Sequence, residues 1–397
     1  MAVNIAIVRQ AITGGIGTTT NVTSPGFGTC KAVIAIATSA ETSDSIDLAS
    51  APSIGWFDGV RNRNTSARAV HNVGTSITSR YYNEGVLATQ PNTGGTGSVN
   101  TVRANSFVTD GVEVEVLAKS SDPIITFILL GGDDLTNVYS DTFTLASGVG
   151  TVDVTAPGFE PDLVLTCGMG EATLGGVATA VFSVGACVND GSNTQRGMTY
   201  YSQSGATTTN VRAELSATSA IVHNANSGSF AKSNINTFDA SGFSITSTED
   251  GGGRRGGYLA LKFSPGTNVN VFSTTIPTSG DYSETGPGFT PDIGMLFNVA
   301  GPTVYDSSVN SNTSAVGMSI FSATEIGSAS TSDQDASGTS NAREVISPSL
   351  RLLDRFGADA VTSTGYSMTA SGWDFTLTTN PAASLLGFGV AIGAGAS

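Results

Sequence analysis

Three segments of the chain alternate strictly between apolar and polar residues. They are Gly111-Val-Glu-Val-Glu-Val116, Gly242-Phe-Ser-Ile-Thr246 and Gly372-Trp-Asp-Phe-Thr376. A period of two sends Val112/Val114, Phe243/Ile245 and Trp373/Phe375 to one side and Glu113/Glu115, Ser244/Thr246 and Asp374/Thr376 to the other. Each segment therefore predicts a β-strand with one face in water. Other segments are apolar without alternation. One set is Ala32 to Ala37, Leu163 to Thr166 and Ile293 to Phe297; another is Ile124 to Leu130, Tyr258 to Phe263 and Leu385 to Val390. Short apolar runs bounded by turn residues predict buried strands.

These elements recur in order. A Pro-Gly-Phe triplet precedes each first apolar run, at Pro25-Gly26-Phe27, Pro157-Gly158-Phe159 and Pro287-Gly288-Phe289, with spacings of 157 − 25 = 132 and 287 − 157 = 130. The last two extend to Pro-Gly-Phe-x-Pro-Asp through Pro161-Asp162 and Pro291-Asp292. The glycines that open the alternating strands lie 242 − 111 = 131 and 372 − 242 = 130 apart. Ser53-Ile54-Gly55 and Ser183-Val184-Gly185 are a further pair, again 130 apart (183 − 53). A fixed period of this size is the signature of a repeated structural unit. The expected organisation is three tandem copies, 1–134, 135–265 and 266–397, closely abutted because no long linker separates them.

Gly, Asn, Asp and Ser clusters punctuate the strands throughout. The expected fold class is all-β, three tandem β-sandwich (jelly-roll-like) domains related by internal triplication. One stretch tempts a helix assignment: Ser347-Pro348 before Leu350, Leu352, Leu353 and Phe356, then Gly357. The corresponding Val211 to Val222 reads as strand, and the shared period favours strand in both. Pro presets φ and Gly allows a positive φ, so Pro-Gly-Phe reads as a structural corner whose Phe re-enters the core.

Composition narrows the function classes. Only 12% of the 397 residues are charged, about half the usual share, and 49 are glycine. The formal net charge is −15, and only Lys31, Lys119, Lys232 and Lys262 are lysines. Phosphate binding needs clustered Lys or Arg. The nearest candidate, Arg254-Arg255, adjoins Glu249 and Asp250. No nucleic-acid partner and no membrane partner is expected. Cys30, Cys167 and Cys187 form no C-x-x-C and read as buried small hydrophobes. MAVNIAIVRQ lacks the form of a signal peptide, and no run approaches 18 apolar residues. The expected place of synthesis is a cytoplasm.

The search for chemistry yields no catalytic residue, no cofactor and no metal site. His71 and His223 occupy non-corresponding places in the repeat and read as surface or loop residues. No G-x-S-x-G elbow is present. The acid pairs Asp133-Asp134, Glu249-Asp250 and Asp333/Asp335 sit in stretches that read as solvated turns, where adjacent side chains diverge. Asp333-x-Asp335 with Ser337-Gly338 lacks the order of a calcium loop. The glycine runs at Gly14-Gly15-Ile16-Gly17, Gly94-Gly95-Thr96-Gly97 and Gly251-Gly252-Gly253 complete no nucleotide fingerprint and read as turns. Trp56-Phe57, Tyr81-Tyr82 and Tyr200-Tyr201 are adjacent aromatic pairs. In a strand, one member of each would point outward, where it could stack on a sugar.

The Pro-Gly-Phe-x-Pro-Asp-aliphatic element, the later Gly-aromatic strand and the closing apolar strand resemble repeat units in virion structural proteins of tailed bacteriophages. The resemblance is carried best by the second and third copies. The first departs from it, with Gly28-Thr29-Cys30 where the others have x-Pro-Asp. It implies a structural protein on the virion exterior, a capsid-decoration or tail/fibre subunit assembled in the host cytoplasm. Its partners would be other virion proteins, and a homo-oligomer is expected. An acidic surface fits an outward position away from packaged DNA. Two alternatives stand beside it: a receptor-binding module recognising host surface glycans through residues such as Tyr81 or Tyr200, and a polysaccharide-degrading enzyme. Three copies could form a pseudo-threefold disc or stack along a fibre.

Overall fold

The computed structural model of the chain describes residues 3–71, 73–91, 98–171, 175–205, 211–225, 229–249, 251–300, 302–306, 309–311, 313–334, 342–353 and 358–394. Every regular element among them is a β-strand, and all strand pairings are antiparallel. The tempting helix is absent there: Arg343–Ser347 and Arg351–Leu353 are strands, while Phe356 and Gly357 lie outside the described residues.

The strands form three large sheets and three four-stranded sheets. The first large sheet runs Asn4–Ala11, Ile124–Gly131, Cys30–Ala37, Ser53–Phe57, Asn62–Val70, Thr78–Asn83. The second runs Leu135–Thr144, Arg255–Phe263, Leu163–Glu171, Ala180–Val188, Gln195–Ser202, Val211–Ser216. The third runs Thr267–Ile276, Leu385–Ala394, Ile293–Ala300, Thr313–Ser322, Ile326–Gln334, Arg343–Ser347. In each, the strand after the Pro-Gly-Phe corner lies beside the closing apolar strand. Each small sheet is centred on one alternating strand, Gly111–Ala118, Gly242–Ser247 or Gly372–Thr379.

Each small sheet packs on one face of its own large sheet. Val112 and Val114 meet Val33, Phe127 and Leu129; Phe243 and Ile245 meet Val164 and Tyr258; Trp373 and Phe375 meet Leu296 and Phe321. The opposite faces of all three large sheets converge on one central core. It gathers Ile34, Trp56 and Ile128 with Leu165, Phe182 and Leu261, and with Met295, Phe297 and Phe388. The apolar runs show no alternation because successive residues enter two different cores. In Ile124–Gly131, Ile125, Phe127 and Leu129 face the small sheet while Ile128 and Leu130 face the centre. A sheet covered on both faces has no wet side to encode.

The recurrent glycines have a shared cause. A Cβ on Gly111, Gly242 or Gly372 would lie 2.0, 1.9 or 2.0 Å from the carbonyl oxygen of Val22, Val154 or Glu284. That is where the edge strand of each small sheet comes closest. The corner glycines Gly26, Gly158 and Gly288 have φ of 82°, 70° and 75°, the left-handed region open to glycine. Gly158 and Gly288 donate their N–H to the carbonyls of Ser241 and Ser371 (2.8 and 2.9 Å). In the first corner the Asp110 carboxylate takes that place, accepting from Gly26 and Gly28 (3.1 and 2.7 Å).

The Asp of the extended motif ties the corner to the end of the closing strand. Asp162 accepts the N–H of Phe263 at 2.7 Å, and Asp292 that of Ala394 at 3.1 Å. Lys31 occupies the matching place in the first large sheet, directly before its apolar run. There the polarity reverses: its ammonium donates to the carbonyls of Gly132 and Leu135, both at 2.8 Å. The departure at Gly28-Thr29-Cys30 thus keeps the tie with different chemistry.

Candidate functional site

The structure relocates several residues of chemical interest. His223 lies on Ile221–Ala225 and is 1% exposed, so it is a core residue and not a surface or loop histidine. Burial, with Arg254 and Arg80 nearby, lowers its pKa to about 3 and keeps it neutral. His71 is half-buried against Arg343, 2.7 Å from its Nδ1. Asp333 is buried on the strand Ile326–Gln334 rather than in a solvated turn. Its carboxylate accepts from Ser202 Oγ at 2.6 Å and Tyr200 Oη at 3.1 Å. Asp335 and the Ser337-Gly338 step lie outside the described residues, as do Asp250 and Gly94-Gly95-Thr96-Gly97. Asp133 and Glu249 are exposed. Among the described residues, no three His, Cys, Asp or Glu side chains converge as a metal site would require, and no helix is long and apolar enough to cross a membrane. The three cysteines are buried and free, and burial pushes the Cys30 thiol up to about 12.

The aromatic pairs overturn an expectation. Trp56, Phe57, Tyr82, Tyr200 and Tyr201 are all at most 2% exposed, and only Tyr81 is half-buried. Alternate residues do point to opposite faces, but both faces of a large sheet are covered. Trp56 enters the central core and Phe57 the core under the first small sheet.

What the fold brings together instead are junctions between sheet pairs, and these close a cycle. Gly175–Ala178 leaves the second large sheet and pairs with Thr78–Asn83, at the edge of the first. Val309–Ser311 leaves the third and pairs with Val211–Ser216, at the edge of the second. A segment leaving the first reaches the edge of the third, where Asp47 and Glu344 exchange both backbone hydrogen bonds (2.9 and 3.1 Å). All three segments follow the strand after the Pro-Gly-Phe corner.

Side chains close a second cycle in the opposite sense. Arg63 in the first pair donates to Asp141 of the second at 2.6 Å, while Asp58 accepts the N–H of Ser140 at 2.9 Å. Arg61 lies 4.2 Å above the ring of Tyr139. Arg196 in the second pair donates to Ser273 of the third at 2.7 Å. Glu325 in the third accepts the N–H of Ile7 in the first at 2.7 Å. Each contact falls on an outermost strand of a large sheet, Leu135–Thr144, Thr267–Ile276 or Asn4–Ala11. Asp58 and Glu325 occupy edge N–H groups there that could otherwise recruit a foreign strand.

The electrostatics of these junctions differ. Burial opposes the ionisation of Asp141, but bonds from Arg63 and the Thr142 N–H, with Arg61 nearby, hold its pKa below the usual carboxylate value. Glu214 is pushed up by burial, although Lys232 binds it at 2.6 Å. Glu344 is fully buried, and its bonds come from neutral donors: Ser39 Oγ, and the N–H of Ala51 at 2.9 Å. Burial raises its pKa to about 7, with Asp47 adding to the rise.

Sequence reasoning missed these junction residues. One signal was present: Arg63 and Arg196 are 196 − 63 = 133 apart, near the repeat period, and each donates to the preceding residue's carbonyl at 2.7 Å. Glu344 carries no such mark. Comparison with known proteins adds no name: no family model matches the chain, and no curated protein matches it significantly.

Proposed function

We propose that this protein is a structural component of a tailed-phage virion, placed on the particle exterior and acting through protein–protein contacts as a capsid-decoration or tail/fibre subunit. In this reading the chain is one β-sandwich, jelly-roll-like unit written three times, as 1–134, 135–265 and 266–397, and the three units form a pseudo-threefold ring. The observation that carries it is the closed cycle of inter-pair contacts around one shared core. A covalent pseudo-trimer suits a threefold position on a larger shell. Several polar side chains are engaged inside that architecture: Asp333 with Ser202 and Tyr200, Arg63 with Asp141, Glu344 with Ser39 and Ala51. The net charge of −15 favours an outward position, away from packaged nucleic acid.

The test is mass spectrometry and imaging of intact particles. The expected result is a fixed copy number at an exterior, threefold-related position, with particles lacking the protein altered in composition or stability. Absence from purified virions, or unaltered particles without it, removes the reading. Of the two tyrosines that the glycan alternative would use, Tyr200 is 2% exposed and Tyr81 is half-buried.

A further inference from the structure

The three junctions are not equivalent. The first and second sheet pairs follow one another along the chain, as do the second and third. The third and first do not, so non-covalent contacts alone hold that junction. It also has the shortest backbone pairing, the Asp47–Glu344 bridge with one flanking bond from the Asp44 N–H to the Ile346 carbonyl at 2.9 Å. The other two are ladders of four and three residue pairs, Gly175↔Tyr82 to Ala178↔Ser79 and Val211↔Ser311 to Ala213↔Val309.

Glu344 joins this junction three ways. Its backbone makes the bridge to Asp47, its Oε1 accepts from Ser39 Oγ, and its Oε2 accepts from the Ala51 N–H. One residue thus grips both ends of the segment Ser39–Ala51. We propose that the junction between the third and first sheet pairs is a proton-operated clasp: Glu344 holds Ser39–Ala51 closed while its carboxyl carries a proton on Oε1, donated to Ser39 Oγ, with Oε2 still accepting from the Ala51 N–H, and the clasp loosens when the proton leaves. This goes beyond the virion reading and holds or fails independently of it.

The physical reason is desolvation. Ionising a carboxyl in this site strands a charge among neutral donors, and opening the clasp returns it to water. The surroundings pull in both directions. From the clasped segment, Asp47 raises the cost of ionisation, with Glu41 beside it. Asp44 accepts from Ser347 Oγ, and its carbonyl from Arg351, which is paired with Asp359 at 2.7 Å. From the strand Asn62–Val70, Arg68 attracts the Glu344 charge. On its own strand Arg343 contacts His71, whose pKa is held below the ordinary imidazole value by burial and by that guanidinium. On the neighbouring strand Thr331 stands opposite Glu344 in register, and Asp333 lies two residues along, bonded to Ser202 and Tyr200. The sum leaves Glu344 titrating at about 7, against an ordinary value of 4.5.

The sign follows from linkage. The closed clasp binds the proton more tightly than the open one, so closure weakens as pH rises from about 4.5 and levels off above about 7. Protonation of His71 beside Arg343 acts in the opposite sense, below its ordinary value of 6.5.

Hydrogen exchange across pH 5–8.5, corrected for intrinsic rates, tests this on the full chain. The expected profile for residues 39–51 is a loss of protection of about tenfold per pH unit that flattens near neutrality. Thr78–Asn83, at the junction of the first and second sheet pairs, should stay level. Glu344→Gln should abolish the slope. Asp47→Asn should move the flattening point to lower pH, because it removes a like charge; a merely structural role would not shift it. A flat parent profile overturns the proposal, as does a Glu344→Gln protein that keeps the parent's slope. So does an equal slope at Thr78–Asn83. Should Glu344→Gln fail to fold, an unmoved flattening point in Asp47→Asn decides against the clasp.

Discussion

The large and small sheets are built from the same residue types, yet their surroundings differ. In Gly372–Thr379, Trp373 and Phe375 are fully buried while Asp374 and Thr376 are exposed. In Ser53–Phe57 all five residues are buried. The third small sheet carries a wet face, and the large sheets separate two dry cores; in the second, Ser244 is buried and Thr246 half-buried. On a large sheet, a residue that points away from the nearest core points into another. That is why pairs of adjacent aromatics became structural, and why buried carboxylates gather at the rims of large sheets.

The sharpest way to break this comparison is a truncation at the centre. Trp56→Ala removes a fully buried indole from the central core, and should cost about 3–5 kcal/mol. Chemical denaturation measures it, and a loss below about 1 kcal/mol would mean that the large sheets are not covered on both faces. A glycine pair gives the next largest contrast. A Cβ on Gly185 would stand 1.8 Å from the Ala220 carbonyl oxygen, whereas one on Gly365, in a small sheet, meets nothing within 4 Å. Gly185→Ala should destabilise by about 1–3 kcal/mol or more, and Gly365→Ala should stay within about 0.5 kcal/mol.

Arg63→Ala tests a large-sheet rim. Its guanidinium donates to Asp141 and to the carbonyls of Asn62 and Glu84, so its loss should cost about 1–3 kcal/mol. It should also raise the pKa of Asp141, which NMR titration can follow. The smallest effect belongs to the wet face of a small sheet. There Arg103 pairs with Glu115 at 2.5 Å, with side chains 44% and 21% exposed. Glu115→Gln should leave stability close to that of the parent, and salt should erase the difference.

The strands and their two patterns were legible in the sequence because they depend on short-range rules. Val112, Phe243 and Trp373 announce a buried face by alternation, and Gly26, Gly158 and Gly288 announce a corner by backbone freedom. The junctions were not legible. Asp58, Glu325 and Glu344 look like ordinary acids in polar stretches, and their partners Ser140, Ile7 and Ser39 lie 82, 318 and 305 positions away. His223 and Asp333 were misplaced for the same reason: their burial comes from a sheet face that sequence distance conceals.

Local chemistry therefore determined the elements: a period of two where one face meets water, unbroken apolar runs where neither does, and glycine where backbones come close. Which faces meet was decided only in three dimensions. A strand's side-chain pattern records whether it is covered, but not by what. The central core, the cycle of strand exchanges and the environment of Glu344 all depend on contacts between distant parts of the chain, and those exist only once the three sheet pairs have come together.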